Sequence, residues 1–179
     1  MTEPTVMGID AGLQGMGVVI ARGRTIVYAG TSRTQKSGKK GLRVADDDAD
    51  RCQQHARFLL GVVQEWKPQG AVVELPSGGA QGARANRSMG LATGVVAAAL
   101  EAAGLPAEWV TPGAVKKAAT GRKDASKDEV EQAVRRAFNW QAQPPRTKAE
   151  AEHVFDAAGA LLAAENGTLL RALRQVRGA

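Results

Sequence analysis

The 179-residue sequence has one cysteine, two histidines, one tyrosine, three phenylalanines and three tryptophans. Cys52 on its own can form neither an internal disulfide nor a cysteine-based zinc cluster. Two histidines are also too few for the nitrogen- and sulfur-rich ligand set that zinc favours. No apolar run is long enough to cross a bilayer, and residues 1–20 lack the basic start and cleavage site of a secretory signal. We therefore expect a cytoplasmic protein with no membrane partner. With aromatics at 4% and the hydrophobic fraction at 44%, the core must come mainly from Ala, Val and Leu, close-packed and helix-rich. The length suits a single domain over residues 1–179, with 165–179 as a basic C-terminal tail.

Acidic residues are the minority charge: 18 Asp and Glu stand against 24 Lys and Arg, for a net charge of +6. A basic globular domain favours a polyanionic partner, and with the membrane option unsupported that partner is nucleic acid.

Residues 5–10, 15–20 and 25–31 read as three strands joined by short glycine-bearing turns, an antiparallel meander. Residues 33–47 form a basic loop carrying Arg33, Lys36, Lys39, Lys40 and Arg43. Asp46 to Asp48 can open a helix reaching Trp66, with His55, Leu59, Val62 and Trp66 on its buried face. On that face His55 reads as a packed histidine. A fourth strand, 71–75, follows a helix and so should run parallel to the first. The loop from Pro76 to Arg87 has Gly78, Gly79 and Gly82 but lacks the Lys-Ser/Thr ending of a phosphate-binding P-loop.

Ser88 to Ala103 predicts an apolar helix buried on most sides, with a second subunit as a possible cover. A short fifth strand lies at 109–110. A short helix follows with Val115 and Ala119 inward and Lys116 and Lys117 outward. Ser126 and Glu129 form a capping box for a helix to Phe138. A proline-rich linker (141–146) leads to the last major helix, from Lys148 through Ala164. In the tail, Arg171, Arg174 and Arg177 recur three apart.

Three carboxylates break the hydrophobic pattern. Asp10 ends the apolar strand Val6-Met7-Gly8-Ile9, and Glu74 ends Ala71-Val72-Val73. Asp156, one helical turn from His153, stands where the apolar half of the last helix begins. Burying an unpaired carboxylate costs several kcal/mol. Asp10 could instead serve the turn Asp10-Ala11-Gly12; His153 and Asp156 could be a partly exposed polar pair; and Glu152 rivals His153 for a ligand role. Two acidic strand ends and a His-x-x-Asp pair suit Mg²⁺ or Mn²⁺. Two such ions can activate water and stabilise the leaving 3′ oxygen of a phosphodiester. A basic protein with such a centre reads as a nuclease.

The sequence resembles the RuvC family of Holliday-junction resolvases. The resemblance rests on Gly8-Ile9-Asp10-Ala11-Gly12, Val72-Val73-Glu74, Thr111 to Lys117, Ala125 to Val130 and His153-Val154-Phe155-Asp156-Ala157-Ala158. It implies an α/β fold of the RNase H-like type, with a five-stranded mixed sheet (three antiparallel strands, then two parallel) flanked by helices. It also implies a homodimer that nicks opposite strands of a four-way junction symmetrically. Asp10, Glu74 and Asp156 match the family's metal-binding carboxylates, and His153 falls where many members have Asp and some have His. Lys116 and Lys127 match residues that contact DNA. Lys117, Lys123, Arg84 and Arg87 extend that basic set. Ser77 stands where members often carry an aromatic residue that stacks on junction bases. A broader fork or flap endonuclease, a non-catalytic junction-binding module and an ATP-binding domain of the kinase-actin type are the alternative functions.

Overall fold

The computed structural model describes residues 3–75 and 82–176. The mixed sheet has the strand order β5-β4-β1-β2-β3-β6. Its first three strands are β1 (Thr5–Asp10), β2 (Gly15–Arg22) and β3 (Thr25–Arg33), paired antiparallel as a meander. Helix α1 (Val44–Trp66) returns the chain, so that β4 (Gly70–Glu74) pairs parallel with β1. Helix α2 (Ala83–Ala102) repeats the crossover and places β5 (Ala107–Val110) parallel to β4. Helices α3 (Pro112–Thr120) and α4 (Lys127–Ala137) follow.

Among the described residues the sheet has six strands, where the sequence predicts five. The additional strand, β6 (Asn139–Trp140), pairs parallel with β3 through Thr25 and Ile26. Two residues leave no periodic signal. The pairing is supported by tertiary packing, with the Trp140 ring edge-on to Phe155 at 5.1 Å. Helix α5 (Lys148–Ala163) and the short α6 (Thr168–Val176) complete the chain.

Alternation along the strands divides the core in two. Met7, Ile9, Val18, Ile20, Ala71 and Val73 pack under α1 and α2 with Leu59, Val62 and Val96. Val6, Val19, Val72 and Ile26 face the other way, onto Val115, Val134, Phe155, Ala157 and Leu161 of α3, α4 and α5. Small residues let α5 lie almost on the sheet. A Cβ at Gly8 would come within 2.3 Å of the Ala157 carbonyl oxygen, and one at Gly17 within 2.1 Å of that of His153. Gly159, in mid-helix, admits Val115 from α3 in the same way, at 2.7 Å from an added Cβ.

Helices α3, α4 and α5 start on side-chain caps, whereas α1 opens two residues before Asp46 with no such cap. Ser126 accepts from the Glu129 amide while the Glu129 carboxylate accepts from the Ser126 amide, a complete capping box. Thr111 and Thr147 cap α3 and α5. Helix α2 departs from expectation. It starts five residues earlier, and its buried face is a single stripe of Ala92, Val96, Ala99 and Leu100 against the sheet and α1. Gly90, Gly94, Ala97 and Ala98 are exposed. No helix among the described residues is long and apolar enough to cross a membrane.

Candidate active site

Parallel pairing in register makes Asp10 and Glu74 neighbours, since the last residue of β1 is the Cα partner of the last residue of β4. Each lies two residues beyond a residue facing α5, Gly8 and Val72 respectively, so both carboxylates face that helix. Helix α5 contributes Asp156 and His153 to the same place. The His153 Nδ1 lies 2.7 Å from Asp10 Oδ2. His153 also sits over the start of β2, where a Cβ at Gly15 would meet its Nε2 at 2.3 Å. The bare backbone of β2 thus provides the room for the imidazole.

The cluster is electrostatically strained by its own carboxylates. Burial, reinforced by Asp156 and Asp10, pushes the Glu74 carboxyl up to about 8. Burial and Asp10 push Asp156 up to about 6. The hydrogen bond to Asp10 raises His153, which favours the imidazolium. Among the described residues Glu74 Oε2 is buried with no hydrogen-bond partner, an uncommon state for a buried acceptor.

Lys127, at the start of α4, lies at the rim. It hydrogen-bonds and ion-pairs with Glu152 while acting on Asp156, Glu74 and Asp10 at longer range. The bond to Glu152 raises Lys127 and lowers Glu152. His153 therefore reaches Asp10, and Glu152 is turned to Lys127. Among the described residues, no group of three or more His, Cys, Asp or Glu side chains is already drawn together closely enough to hold a metal ion. The donor chemistry nonetheless fits a hard divalent cation. It is oxygen-rich and excess in negative charge, and it includes an acceptor left unsatisfied among the described residues.

The other basic residues are dispersed. Lys116 and Lys117 project from α3, the first half-buried and the second exposed, and Lys123 is exposed in the loop before α4. Arg84 is exposed near the start of α2. Arg87 is committed to a partner, its guanidinium lying 2.8 Å from Asp48 of α1. Ser77, Gly78, Gly79 and Arg177 lie outside the described residues.

Sequence reasoning placed His55 on the buried face of α1 but missed Asp48 and Arg51 there. Asp48, Arg51 and His55 are all buried and continue into Leu59 and Val62. Their helical spacing was available as a signal, but runs such as Asp46-Asp47-Asp48 and Asp50-Arg51 look like a solvated face.

A mixed sheet with carboxylates at the ends of β1 and β4, closed by a helix bearing His and Asp, defines an RNase H-like protein with an acidic centre. The family model described as crossover junction endodeoxyribonuclease RuvC matches residues 6–158. The crossover junction endodeoxyribonuclease RuvC of Synechococcus sp. (strain WH7803) is 34% identical over 172 residues, covering 93% of this chain and 99% of that protein. Its counterpart from Salinispora arenicola (strain CNS-205) is 31% identical over 146 residues, covering 79% and 78%. The chain belongs to the RuvC family of crossover junction endodeoxyribonucleases.

Solved structures share the fold. Thermus thermophilus RuvC, in complex with a Holliday junction substrate, superposes with a TM-score of 0.74 at 22% identity, covering 97% of both chains. The yeast mitochondrial Holliday junction resolvase gives 0.62 at 14% identity, covering 97% of this chain and 85% of that one.

Proposed function

We propose that this chain cleaves four-way DNA junctions as a divalent-metal-dependent endonuclease, nicking two opposing strands symmetrically. The observation that carries this reading is the convergence of Asp10, Glu74, His153 and Asp156 in a chain of this family. Asp10, Glu74 and Asp156, with His153 as the fourth ligand, would hold Mg²⁺ or Mn²⁺. Asp10 lies beside the other three and would take part in holding these ions. When bound, such ions supply an activated water and stabilise the leaving 3′ oxygen.

The chain's own residues do the remaining work. Glu74 and Asp156, half-buried beside Asp10, are poised to give up their protons as positive charge arrives. Lys127 stands beside the carboxylates on a mobile four-carbon stem and can move from Glu152 to a DNA phosphate. Lys116, Lys117 and Lys123 extend positive charge from that rim along α3, and Arg84 adds it at the start of α2, where Arg87 is instead paired with Asp48. These lysines and Arg84 would each neutralise a phosphate and steepen the salt dependence of binding.

Symmetric nicking needs two active sites, so we propose a homodimer. Support comes from α2, whose outer face of Gly90, Gly94, Ala97 and Ala98 is small, exposed and uncharged. Close approach of a second helix suits such a face.

The test is incubation with an end-labelled synthetic four-way junction in Mg²⁺ and in Mn²⁺. Paired nicks on opposing strands are expected, faster than on a fork, flap or linear duplex. Equal rates on all branched substrates would replace junction resolution with general branched-DNA cleavage. Binding without cleavage in either metal would leave a non-catalytic junction-binding protein.

A further inference from the structure

The turn that follows Asp10 is held by a buried polar clamp from the opposite side of the sheet. The Leu13 carbonyl oxygen accepts from three side chains: Thr34 Oγ1 at 2.5 Å, His55 Nε2 at 2.9 Å and an Arg51 guanidinium nitrogen at 3.1 Å. Arg51 Nε donates to Thr34 Oγ1 at 3.0 Å, and the third arm of the fork lies 3.6 Å from Asp48. Arg51, His55, Thr34 and Asp48 are 3%, 0%, 5% and 7% exposed. Arg87 of α2 closes the set by pairing with Asp48.

A carbonyl only accepts, so His55 must carry its proton on Nε2, and its Nδ1 then accepts from the Ser32 hydroxyl at 3.0 Å. Burial lowers the His55 pKa, which keeps the ring neutral and this tautomer in place.

Taking a guanidinium out of water costs several kcal/mol, and an apolar side chain could fill the same volume without that cost. What an apolar residue could not do is aim directional bonds at one carbonyl, three residues beyond Asp10. The intervening turn has little slack. Ala11 and Leu13 are each 3% exposed. A Cβ at Gly12 would come within 2.4 Å of the Gly15 carbonyl oxygen. Displacement at Leu13 is therefore transmitted along Ala11 and Gly12 to Asp10.

We propose that Arg51, acting with Thr34 and His55 through the Leu13 carbonyl, is a positioning residue that fixes Asp10 for divalent-metal binding and strand cleavage. The inference rests on the nuclease reading above for its consequence, though not for its geometry. It assigns to α1, on the far face of the sheet, a share in the acidic centre.

Arg51→Lys keeps the charge but loses the planar fork, so it cannot bond Leu13, Thr34 and Asp48 together. Thr34→Val removes one donor to Leu13 at almost constant volume and serves if Arg51→Lys does not fold. Glu108→Gln is the control for simple destabilisation, because the Glu108 carboxylate accepts from the Leu169 amide at 2.9 Å and takes no part in the clamp. Three quantities are measured at matched folded fraction: Mn²⁺ affinity without DNA, junction affinity without metal, and single-turnover cleavage of bound junction.

Arg51→Lys should weaken Mn²⁺ binding about 10-fold and slow cleavage about 10- to 100-fold. Thr34→Val should change both in the same direction by less. Junction affinity should stay within about 2-fold, and Glu108→Gln should change none of the three. Clamp variants that lose melting temperature with unaltered Mn²⁺ affinity and cleavage would overturn the proposal. A wild-type protein that binds Mn²⁺ but cuts no junction would overturn the nuclease reading instead, and the Mn²⁺ measurement would still decide the clamp.

Discussion

Asp10 and Glu74 end adjacent parallel strands in direct register, two carboxylates on one face of the sheet, with the His153 imidazole bonded to Asp10. Lys127 acts on both from the rim but spends its hydrogen bond on Glu152. The fold thus concentrates negative charge at a place where the chain itself offers little to neutralise it.

Removing one of those charges should stabilise the metal-free protein. The Glu74 carboxyl rises from 4.5 to about 8 on folding, so between those values the folded state holds a proton that the unfolded state has lost. Stability therefore falls as pH rises through that window. Glu74→Gln should raise the melting temperature at pH 8 by about 3 °C for each kcal/mol of strain relieved in a chain of this size. The gain should shrink toward pH 4.5, and Mn²⁺ should stabilise the wild type much more than the variant. A melting temperature at pH 8 that is unchanged or lower would contradict this.

The close seating of α5 is open to a direct test. In Gly8→Ala the added methyl meets the Ala157 carbonyl oxygen, a backbone atom that cannot swing aside. The cost should be about 1–3 kcal/mol in a denaturant melt. Cleavage should fall with it, because the shift moves Asp156 and His153 relative to Asp10. Wild-type stability would mean that α5 has more clearance than its packing indicates.

Lys127 should affect chemistry more than binding. Lys127→Met removes the lysine at the rim of the acidic centre and leaves the other lysines in place. Junction affinity should drop by about 1 kcal/mol or less, with the slope of log K against log salt shallower by about 1. Cleavage of bound junction should slow by at least about 10-fold. A large affinity loss with a normal rate would make Lys127 a docking residue only.

Much of this was legible in the sequence, and for a physical reason. Asp10, Glu74 and Asp156 each interrupt an apolar run at the border of the core, where a carboxylate without a purpose is costly. The capping box at Ser126 and Glu129 was visible for a similar local reason. What escaped was decided by tertiary contact. Strand β6 is too short to carry a period, and its existence depends on Trp140 meeting Phe155. The buried Arg51 and Asp48 look like ordinary helix-surface charges until β3 and the Leu13 turn are laid against them. Helix α2 misled in the opposite direction. Its composition suggested burial on most sides, yet the sheet covers only one stripe.

That exposed stripe makes the assembly prediction specific. Sedimentation at micromolar concentration should show a species of about twice the 18.7 kDa chain mass. Gly94→Arg, which places a charged side chain on the exposed face without touching the core, should shift it to monomer and convert paired nicks into single ones. Dimers that survive the substitution would move the interface elsewhere.

The most direct test of the acidic centre compares wild type with Asp10→Asn on one labelled four-way junction. Asparagine keeps the shape of the side chain and removes its charge, leaving the basic surface unaltered. Wild type should introduce paired nicks on opposing strands in Mg²⁺ or Mn²⁺. Asp10→Asn should bind the junction with affinity within about 2-fold of wild type and cut at least about 1,000-fold more slowly, a loss of roughly 4 kcal/mol of transition-state stabilisation. Cleavage by Asp10→Asn at a rate near that of wild type would contradict the account.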